Sequence, residues 1–312
     1  MSEKTRKDVN RKDMTKFQWT LHLMKQNWVG YVFILPFLFL FILFTVIPVV
    51  ASLGLSLTSY NLLEMPRWVG FNNYVTLFLD DELFITALKY TLIFAVTTGP
   101  ASYLLSFAVA WFINELPPKS RAVITLIFYA PSICAPYTIF SYIFDGDAYG
   151  LVNSYLLKLG FISTPIKFFS NTKWILPLCI AISLWMSLGT AFLSFIAGLQ
   201  GVDKAQYEAA AVDGVTNRWQ ELWYVTLPNM KNQLMFGAVM AITGSFGYGA
   251  VVSSLAGSPP QDYVGYTLAH HMSEYVDTRW EYGYGSAIAF IMFLICMGAN
   301  MLVNKMLAKV GE

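Results

Sequence analysis

Six long apolar runs are the feature that most constrains what this chain can fold into. The runs lie near residues 30–55, 90–113, 122–144, 174–198, 234–256 and 284–307. Each is close to the roughly 20 residues that an α-helix needs to cross about 30 Å of hydrocarbon. Because backbone groups in lipid must find hydrogen-bond partners within their own segment, such runs favour helices. The sequence therefore predicts an all-α integral membrane protein with six transmembrane helices.

The composition agrees with a membrane location. The 312 residues are 56% hydrophobic and 12% charged, whereas about a quarter of the residues in soluble domains are charged. With a net charge of +1, the chain has no basic face able to neutralise many phosphates, which argues against a nucleic-acid partner. Cys134, Cys179 and Cys296 all fall within apolar runs. Their spacing favours small core residues over a disulfide framework or a metal site.

The distribution of basic residues predicts the orientation. With the N-terminus in the cytoplasm, 14 of the 20 Lys and Arg residues fall on the cytoplasmic side. The other six fall outside: Arg67, Lys89, Lys158, Lys167, Lys173 and Arg279. This asymmetry follows the positive-inside rule. We therefore expect a multi-pass protein with both termini in the cytoplasm.

The same reading predicts three parts of unequal size. Residues 1–28 form a basic cytoplasmic tail, 29–308 the six-span domain with a polar segment at 201–228, and 309–312 a second cytoplasmic tail. Four apolar residues of the first tail recur at helical spacing: Phe17, Leu21, Met24 and Trp28. That spacing is typical of an amphipathic helix on the membrane surface. A solvated tail that only enforces topology fits the sequence equally well.

The polar segment at 201–228 is predicted to form a helix, a sharp turn and a second helix. Asp203 is an N-cap candidate with Gln206 as its capping-box partner, before a helix that runs from Lys204 to Asp213. Gly214 suits the left-handed position that ends a helix. Two further residues bound the second helix: Asn217 as its N-cap and Pro228 as its end.

One flank of the first predicted helix is small. Ala209, Ala210 and Ala211 let another surface approach the helix backbone, while Glu208 and Asp213 place charge beside that flank. The pattern predicts a docking surface for a basic partner. An ordinary helical hairpin on the cytoplasmic side is the alternative interpretation.

At these residues the chain resembles a known family, the permeases of ABC importers. Three groups fall at the spacing of that family's EAA loop: Glu208-Ala209-Ala210, Asp213-Gly214 and Leu227-Pro228. Two further phrases resemble carbohydrate-type permeases: residues 68–74 (WVGFNNY) and 149–153 (YGLVN). The segment at 255–260 (LAGSPP) departs from the family pattern. The resemblance covers about residues 29–308 and implies the type I ABC importer permease fold.

The resemblance also implies function and partners. In that family the EAA loop is the coupling helix, which docks into the ATP-binding subunit and drives alternating access. We therefore expect a permease subunit of an ATP-driven, binding-protein-dependent importer of a carbohydrate, an oligosaccharide in particular, in the bacterial cytoplasmic membrane. The implied partners are a second permease in a heterodimer, a dimer of ATP-binding subunits and an extracytoplasmic solute-binding protein.

No catalytic residue or cofactor is expected in this chain itself. It contains no GxxxxGK[ST] phosphate-binding loop, so ATP and Mg²⁺ are expected on the partner ATPase. None of the 39 Asp, Glu, Lys and Arg residues falls clearly within an apolar run. Ion-coupled carriers and intramembrane enzymes need such groups in the bilayer. This disfavours two rival functions, an ion-coupled secondary carrier and a polytopic lipid or glycan transferase.

A substrate pathway is predicted where the backbone of the spans is interrupted. Pro100, Pro131, Pro136 and Pro177 remove backbone hydrogen bonds, and the glycines of residues 244–249 (GSFGYG) are expected to break the fifth run. Seven side chains offer flat apolar faces or hydroxyls for a neutral sugar: Tyr129, Tyr142, Ser183, Trp185, Ser187, Phe246 and Tyr248. Packing in the core or against lipid is the alternative role for each.

His270 and His271 are adjacent in the sequence. On a helix, neighbouring side chains point about 100° apart and cannot both face one metal ion. We therefore expect no metal site and place both histidines in a solvated outer loop.

Overall fold

A computed structural model describes residues 15–134 and 137–307 of the chain. The contacts divide the chain into two units, one that ends at Gly54 and one that begins at Leu55. The first half of the predicted basic tail (residues 1–14), Pro136 and the predicted C-terminal tail lie outside the described residues. So do the side chains of Phe17 and Leu21, on which the amphipathic pattern partly rests.

From Lys16 onward the first unit is helical except for a turn at Asn27. Its elements are α1 (Lys16–Gln26), α2 (Trp28–Phe41), a π-helical stretch (Ile42–Val46) and α3 (Ile47–Leu55). The stretch Trp28–Leu55 forms one continuous candidate span. None of its residues up to Gly54 is fully buried, as expected of a helix made almost entirely of apolar side chains that faces lipid or another subunit.

The second unit holds a short hairpin and a series of helices. Its elements are β1 (Thr58–Ser59), β2 (Arg67–Trp68), α4 (Asn72–Leu79), α5 (Glu82–Asn114), α6 (Pro118–Cys134), α7 (Thr138–Ile143), α8 (Leu151–Lys158), α9 (Thr172–Met186), α10 (Thr190–Gly201), α11 (Lys204–Val212), α12 (Arg218–Glu221), α13 (Leu227–Asn229), α14 (Lys231–Phe246), α15 (Gly249–Ala256), α16 (Leu268–Ser273) and α17 (Tyr282–Leu307). β1 and β2 pair antiparallel, with Thr58 opposite Trp68.

Part of the predicted membrane architecture is confirmed. Four helical stretches of the described chain are long and apolar enough to cross a membrane: Trp28–Leu55, Glu82–Asn114, Lys231–Ala256 and Tyr282–Met306. The pair α9 and α10, bent by 42°, makes a fifth if it counts as one span. The predicted third span carries α6 and α7, on either side of residues 135–136. The count of six and the cytoplasmic termini therefore stay predictions.

Helix α5 organises the second unit, because it passes through three apolar clusters. Each cluster is named here by one member: the Phe195 cluster joins the end of α5 to α10, the Phe94 cluster joins its middle to α9 and α15, and the Tyr266 cluster joins its start to α4, α16 and α17. The contact between α10 and α14 is close. A Cβ atom added to Gly237 would lie 2.2 Å from Cζ of Phe195, so only glycine lets the aromatic ring pack there.

The two phrases that resemble carbohydrate-type permeases form turns held by buried asparagines. The Asn73 amide donates to the carbonyl oxygens of Ser56 and Thr58, at 2.8 and 2.9 Å. The Asn153 amide donates to the carbonyl oxygens of Asp145 and Ile166, at 2.8 and 3.0 Å. These bonds satisfy buried or partly buried backbone carbonyls that lie outside the helices.

The predicted break in the fifth run is confirmed. α14 ends at Phe246 and α15 begins at Gly249, with Gly247 and Tyr248 in a turn between them. The prolines interrupt less than their chemistry suggests, because α5, α6 and α9 continue through Pro100, Pro131 and Pro177. An interruption that sequence patterns did not indicate separates α9 from α10 at residues 187–189.

Candidate functional site

The polar segment at 201–228 folds as a helix, a sharp turn and a second helix. The Asp203 carboxylate caps α11 by accepting from the backbone N–H of Ala205 at 3.0 Å. The predicted capping box is wrong, because the Gln206 side chain accepts a hydrogen bond from the Asn229 amide instead. The start of α11 is therefore joined to the stretch that precedes α14.

The turn after α11 is confirmed at Gly214, which has a φ of +94°. The backbone N–H groups of Gly214 and Val215 donate to the carbonyls of Ala211 and Ala210, at 3.3 and 3.0 Å. This pair of bonds is the Schellman motif, in which glycine avoids the strain of a left-handed conformation. Asn217 then caps α12 by accepting from the N–H of Gln220 at 2.9 Å, as predicted.

The sequence predicted that the second helix ends at Pro228, and this prediction is wrong. α12 continues through a π-helical turn (Leu222–Thr226) into α13 (Leu227–Asn229), and Met230 separates α13 from α14. The widened turn closes with a bond from the N–H of Leu227 to the carbonyl of Leu222. A π turn spaces the carbonyls more widely than an α turn, so a proline ring that lacks an N–H is accommodated just after it.

The predicted docking surface is exposed. Glu208, Ala209, Ala211 and Asp213 are exposed on α11 and its C-cap, and Val212 is 89% exposed. The other face of α11 is held by Tyr207, whose hydroxyl lies 2.9 Å from Oγ1 of Thr226. The helix thus has one anchored face and one free face that is small and apolar, with an acid at each end.

The second helix of the segment contacts the end of α5. The Arg218 guanidinium lies 2.9 Å from the Glu115 carboxylate and 2.8 Å from that of Glu221. The rings of Trp219 and Trp111 are 5.1 Å apart. The hydrogen bond with Glu221 and the charge of Glu115 raise the pKa of Arg218. Beside these contacts lies a groove of about 630 Å³, lined by residues of the 201–228 segment and of the α5–α6 connection.

A second candidate site is a cavity of about 240 Å³ within the spans. Of the seven predicted pathway residues it contains Ser187 and Tyr248. Sequence patterns missed its other hydroxyl groups: Ser102, Ser106 and Thr190. Ser102 and Ser106 recur at i, i+4 within the second apolar run, which is the signal that places them on one face of α5. No charged side chain lines this cavity.

The other predicted pathway residues do not join this cavity. Tyr129 packs against the Phe195 cluster, Phe246 is buried, and Trp185 is 56% exposed. Ser183 is buried, and its Oγ has no hydrogen-bond partner among the described residues. Tyr142 lines a separate groove with Asp145 and Lys167.

The predicted solvated outer loop is wrong for His270 and His271. Both lie on α16 and are buried, at 2% and 1% exposure. His271 Nε2 is 2.8 Å from Oδ2 of Asp81, the N-cap residue of α5. Nδ1 of His270 accepts from the backbone N–H of Thr267 at 3.3 Å, and burial lowers the pKa of His270 to about 4. A solvated loop was expected because no local pattern indicates a carboxylate 190 residues earlier.

Asp81 is the centre of this cluster, called here the Asp81 cluster. Its Oδ2 also accepts from the hydroxyls of Tyr284 at 2.7 Å and Tyr275 at 3.3 Å, and its Oδ1 accepts from the first N–H groups of α5. Burial raises the pKa of Asp81, but the bond from Tyr284 and the charge of His271 outweigh it, so the pKa lies below its ordinary value of 3.8. One carboxylate therefore joins α5, α16 and α17.

Glu274 extends the Asp81 cluster toward the surface. It accepts from the hydroxyl of Tyr266 at 2.6 Å and pairs with Arg279. Burial raises the pKa of Glu274, but the bonds from Tyr266 and Arg279 bring it below 4.5. Among the described residues, no group of three or more His, Cys, Asp or Glu could hold a metal ion.

Comparisons with known proteins agree on one family. Residues 89–310 match the profile of the binding-protein-dependent transport system inner membrane component. The chain is 33% identical over 292 residues to the "Probable ABC transporter permease protein YesP" of Bacillus subtilis (strain 168), covering 91% of each chain. It is 28% identical to the "Arabinooligosaccharides transport system permease protein AraP" of the same organism, covering 88% of this chain and 87% of that one.

A solved structure shows the same fold. A chain of the bacterial alginate ABC transporter, solved in complex with alginate pentasaccharide-bound periplasmic protein, superposes with a TM-score of 0.74. The two sequences are 22% identical, and the match covers 93% of this chain and 97% of that one. The profile and the relatives together establish that the chain belongs to the family of binding-protein-dependent transport system inner membrane components, the permease subunits of ABC transporters.

Proposed function

We propose that this chain is one of two permease subunits of a bacterial ATP-driven importer that receives an oligosaccharide from an extracytoplasmic solute-binding protein. The observation that carries the proposal is the 201–228 segment, in which a helix with one anchored face presents a small apolar face and two acids. In this proposal the segment lies in the cytoplasm and docks into one subunit of an ATPase dimer, which binds ATP and Mg²⁺. The protein then lies in the cytoplasmic membrane.

The docking contact is assigned to the residues of the EAA loop. They are Glu208, Ala209, Ala210, Asp213, Gly214, Leu227 and Pro228. Glu208 and Asp213 are exposed acids on either side of the small flank, which suits a cleft with basic side chains. Alanines let the cleft approach the helix backbone closely, and Gly214 sets the angle at which the second helix leaves.

The substrate class is proposed from the relatives and from the cavity at Ser187 and Tyr248. Two relatives are named for the transport of arabinooligosaccharides and maltodextrin. The cavity presents hydroxyl groups and an aromatic side chain without a charged group, which is the chemistry that binds a neutral sugar. Its volume of about 240 Å³ is below the roughly 300–1,000 Å³ of drug-sized ligand sites, so we expect it to widen when the transporter opens.

The experiment reconstitutes the complete transporter in vesicles and measures uptake of a labelled oligosaccharide. We expect uptake to require the binding protein and ATP on the ATPase side, and to continue when ionophores collapse the proton and sodium gradients. Uptake that follows a gradient and ignores ATP would establish the ion-coupled carrier instead. A chemically altered glycan or lipid product would establish the transferase.

A further inference from the structure

Helix α5 is a single long helix that contributes residues to all three apolar clusters of the second unit. Its 33 residues, Glu82–Asn114, continue without a break through Pro100. At 1.5 Å per residue this corresponds to about 50 Å. The helix enters all three apolar clusters and packs against α9, α10, α14 and α16. A displacement applied at one end therefore has a continuous path to the other end.

An acid flanks α5 at each end, and each acid contacts a different segment. Asp81 is the N-cap. Its Oδ2 lies 2.8 Å from Nε2 of His271 in α16 and accepts a hydrogen bond from the Tyr284 hydroxyl of α17 at 2.7 Å. Glu115, the C-cap, lies 2.9 Å from Arg218 of α12. Helix α5 therefore contacts α16 at its start and the 201–228 segment at its end through charged side chains.

Further contacts link the Arg218–Glu115 pair to α11. The ring of Trp219 lies 5.1 Å from that of Trp111 in α5, tilted by 52°, which places an aromatic contact beside the ion pair. Within the segment, Tyr207 of α11 bonds to Thr226. Movement of α11 thus reaches α12 through the helical stretch that contains Thr226, and reaches α5 through Arg218 and Trp219.

We propose that α5 carries the displacement of the 201–228 segment to α16, and that Arg218–Glu115 and His271–Asp81 are the positioning contacts at its two ends. This inference rests on the proposed function, because it takes the ATPase as the source of the displacement. The Arg218–Glu115 pair is exposed, with side chains 66% and 44% accessible. Such a pair adds little to folding stability, so its variants should assemble.

The first test is a charge swap in the complete transporter. Arg218→Glu and Glu115→Arg should each retain the ATPase but lower binding-protein-stimulated ATP hydrolysis and uptake by about fivefold or more, the lower range of typical coupling effects. The double variant, with both charges exchanged in a Glu221→Gln background so that no second acid faces position 218, should recover most of the loss. Glu221→Gln is the matched control, because it removes the other partner of Arg218 and leaves the pair with Glu115 intact.

The second test reads the far end of α5. Asp277 is exposed in the π-helical stretch (Glu274–Thr278) that follows α16. An Asp277→Cys reporter is placed in a chain whose three native cysteines are replaced by alanine, and its maleimide labelling rate is measured with and without ATP. We expect an ATP-dependent change that is lost in Arg218→Glu and recovered in the charge swap.

Three results would overturn the inference. A normal ATP response of the reporter in Arg218→Glu would show that the signal bypasses this contact, and a swap that recovers nothing would show that charge pairing is irrelevant. An unsubstituted chain that fails to retain the ATPase would overturn the proposed function itself. The first two results leave the proposed function standing, so the two failures are distinguishable.

Discussion

At the scale of single residues, Gly214 and Gln206 show what sequence chemistry can and cannot predict. Gly214 was predicted from its place after a helical pattern, and its φ of +94° agrees because only glycine adopts that region without strain. Gln206 has the spacing of a capping-box partner, but Asn229 competes for its side chain. A spacing rule contains local geometry alone, so it cannot predict a partner that the fold brings in from 23 residues away.

Replacing Gly214 tests the turn without a steric complication. No atom lies within 4 Å of an added Cβ, so any cost comes from the backbone conformation. We expect Gly214→Val to cost about 1–2 kcal/mol locally and to abolish uptake, while insertion into the membrane is unchanged. Gly214→Asn is the matched control, because asparagine tolerates the left-handed region better, and it should retain more uptake. Equal activity of both variants would contradict this account of the turn.

Asp81 is the second residue whose role can be tested directly. Asp81→Asn removes a charge that accepts bonds from His271, Tyr284 and the start of α5. Because bonds to a charged group contribute about 1.5–3 kcal/mol, we expect a loss of that order in stability. The thermal midpoint of the purified protein measures it. Asp80→Asn, at the exposed neighbouring position, should change the midpoint little.

The effect of Asp81 should depend on pH. Its pKa is lower in the folded protein than its ordinary value of 3.8, so its stabilisation is present above that value and is lost as the pH falls through the folded pKa. The difference in thermal midpoint between the unsubstituted protein and Asp81→Asn should therefore narrow as the pH falls below about 4. A difference that grows below that pH would contradict the assignment.

At the scale of elements, apolar periodicity predicts the long helices but not how they are joined. The runs near 90–113 and 284–307 correspond to α5 and α17, because long apolar segments leave the backbone few alternatives in lipid. α5 begins eight residues earlier than its run, which places Lys89 within the helix on an exposed face. The bend at residues 187–189 and the π-helical turn before Pro228 interrupt the regular α-helix. A single run contains no signal for either.

The contact between α10 and α14 is an element-scale test of close packing. Gly237→Ala would place a Cβ 2.2 Å from Cζ of Phe195, and such overpacking typically costs about 1–3 kcal/mol. We expect a lower thermal midpoint for this variant. Gly298→Ala in α17 is the matched control, because nothing lies within 4 Å of its added Cβ. Equal midpoints for the two variants would mean that the α10–α14 contact is looser than described.

At the scale of the whole molecule, family and fold were predictable from a few spaced residues, whereas the sites were only partly so. The EAA pattern at 208–228 indicated the family because it combines a helix, a small flank, a turn and a second helix that ends near a proline. The pathway residues were selected by chemistry alone, and of the seven only Ser187 and Tyr248 share the cavity within the spans. The Asp81 cluster was missed because its members lie in three segments that only the fold brings together.

The most direct test of the account is retention of the ATPase by the 201–228 segment. Glu208→Lys reverses an exposed charge beside the small flank, and its control Glu64→Lys reverses an exposed charge in the hairpin between β1 and β2. The measurement is co-purification of the ATP-binding subunit with each variant from membranes that contain the complete transporter. We expect Glu208→Lys to release the ATPase while keeping the second permease, and Glu64→Lys to keep both. Full retention of the ATPase by Glu208→Lys would contradict the docking of this helix.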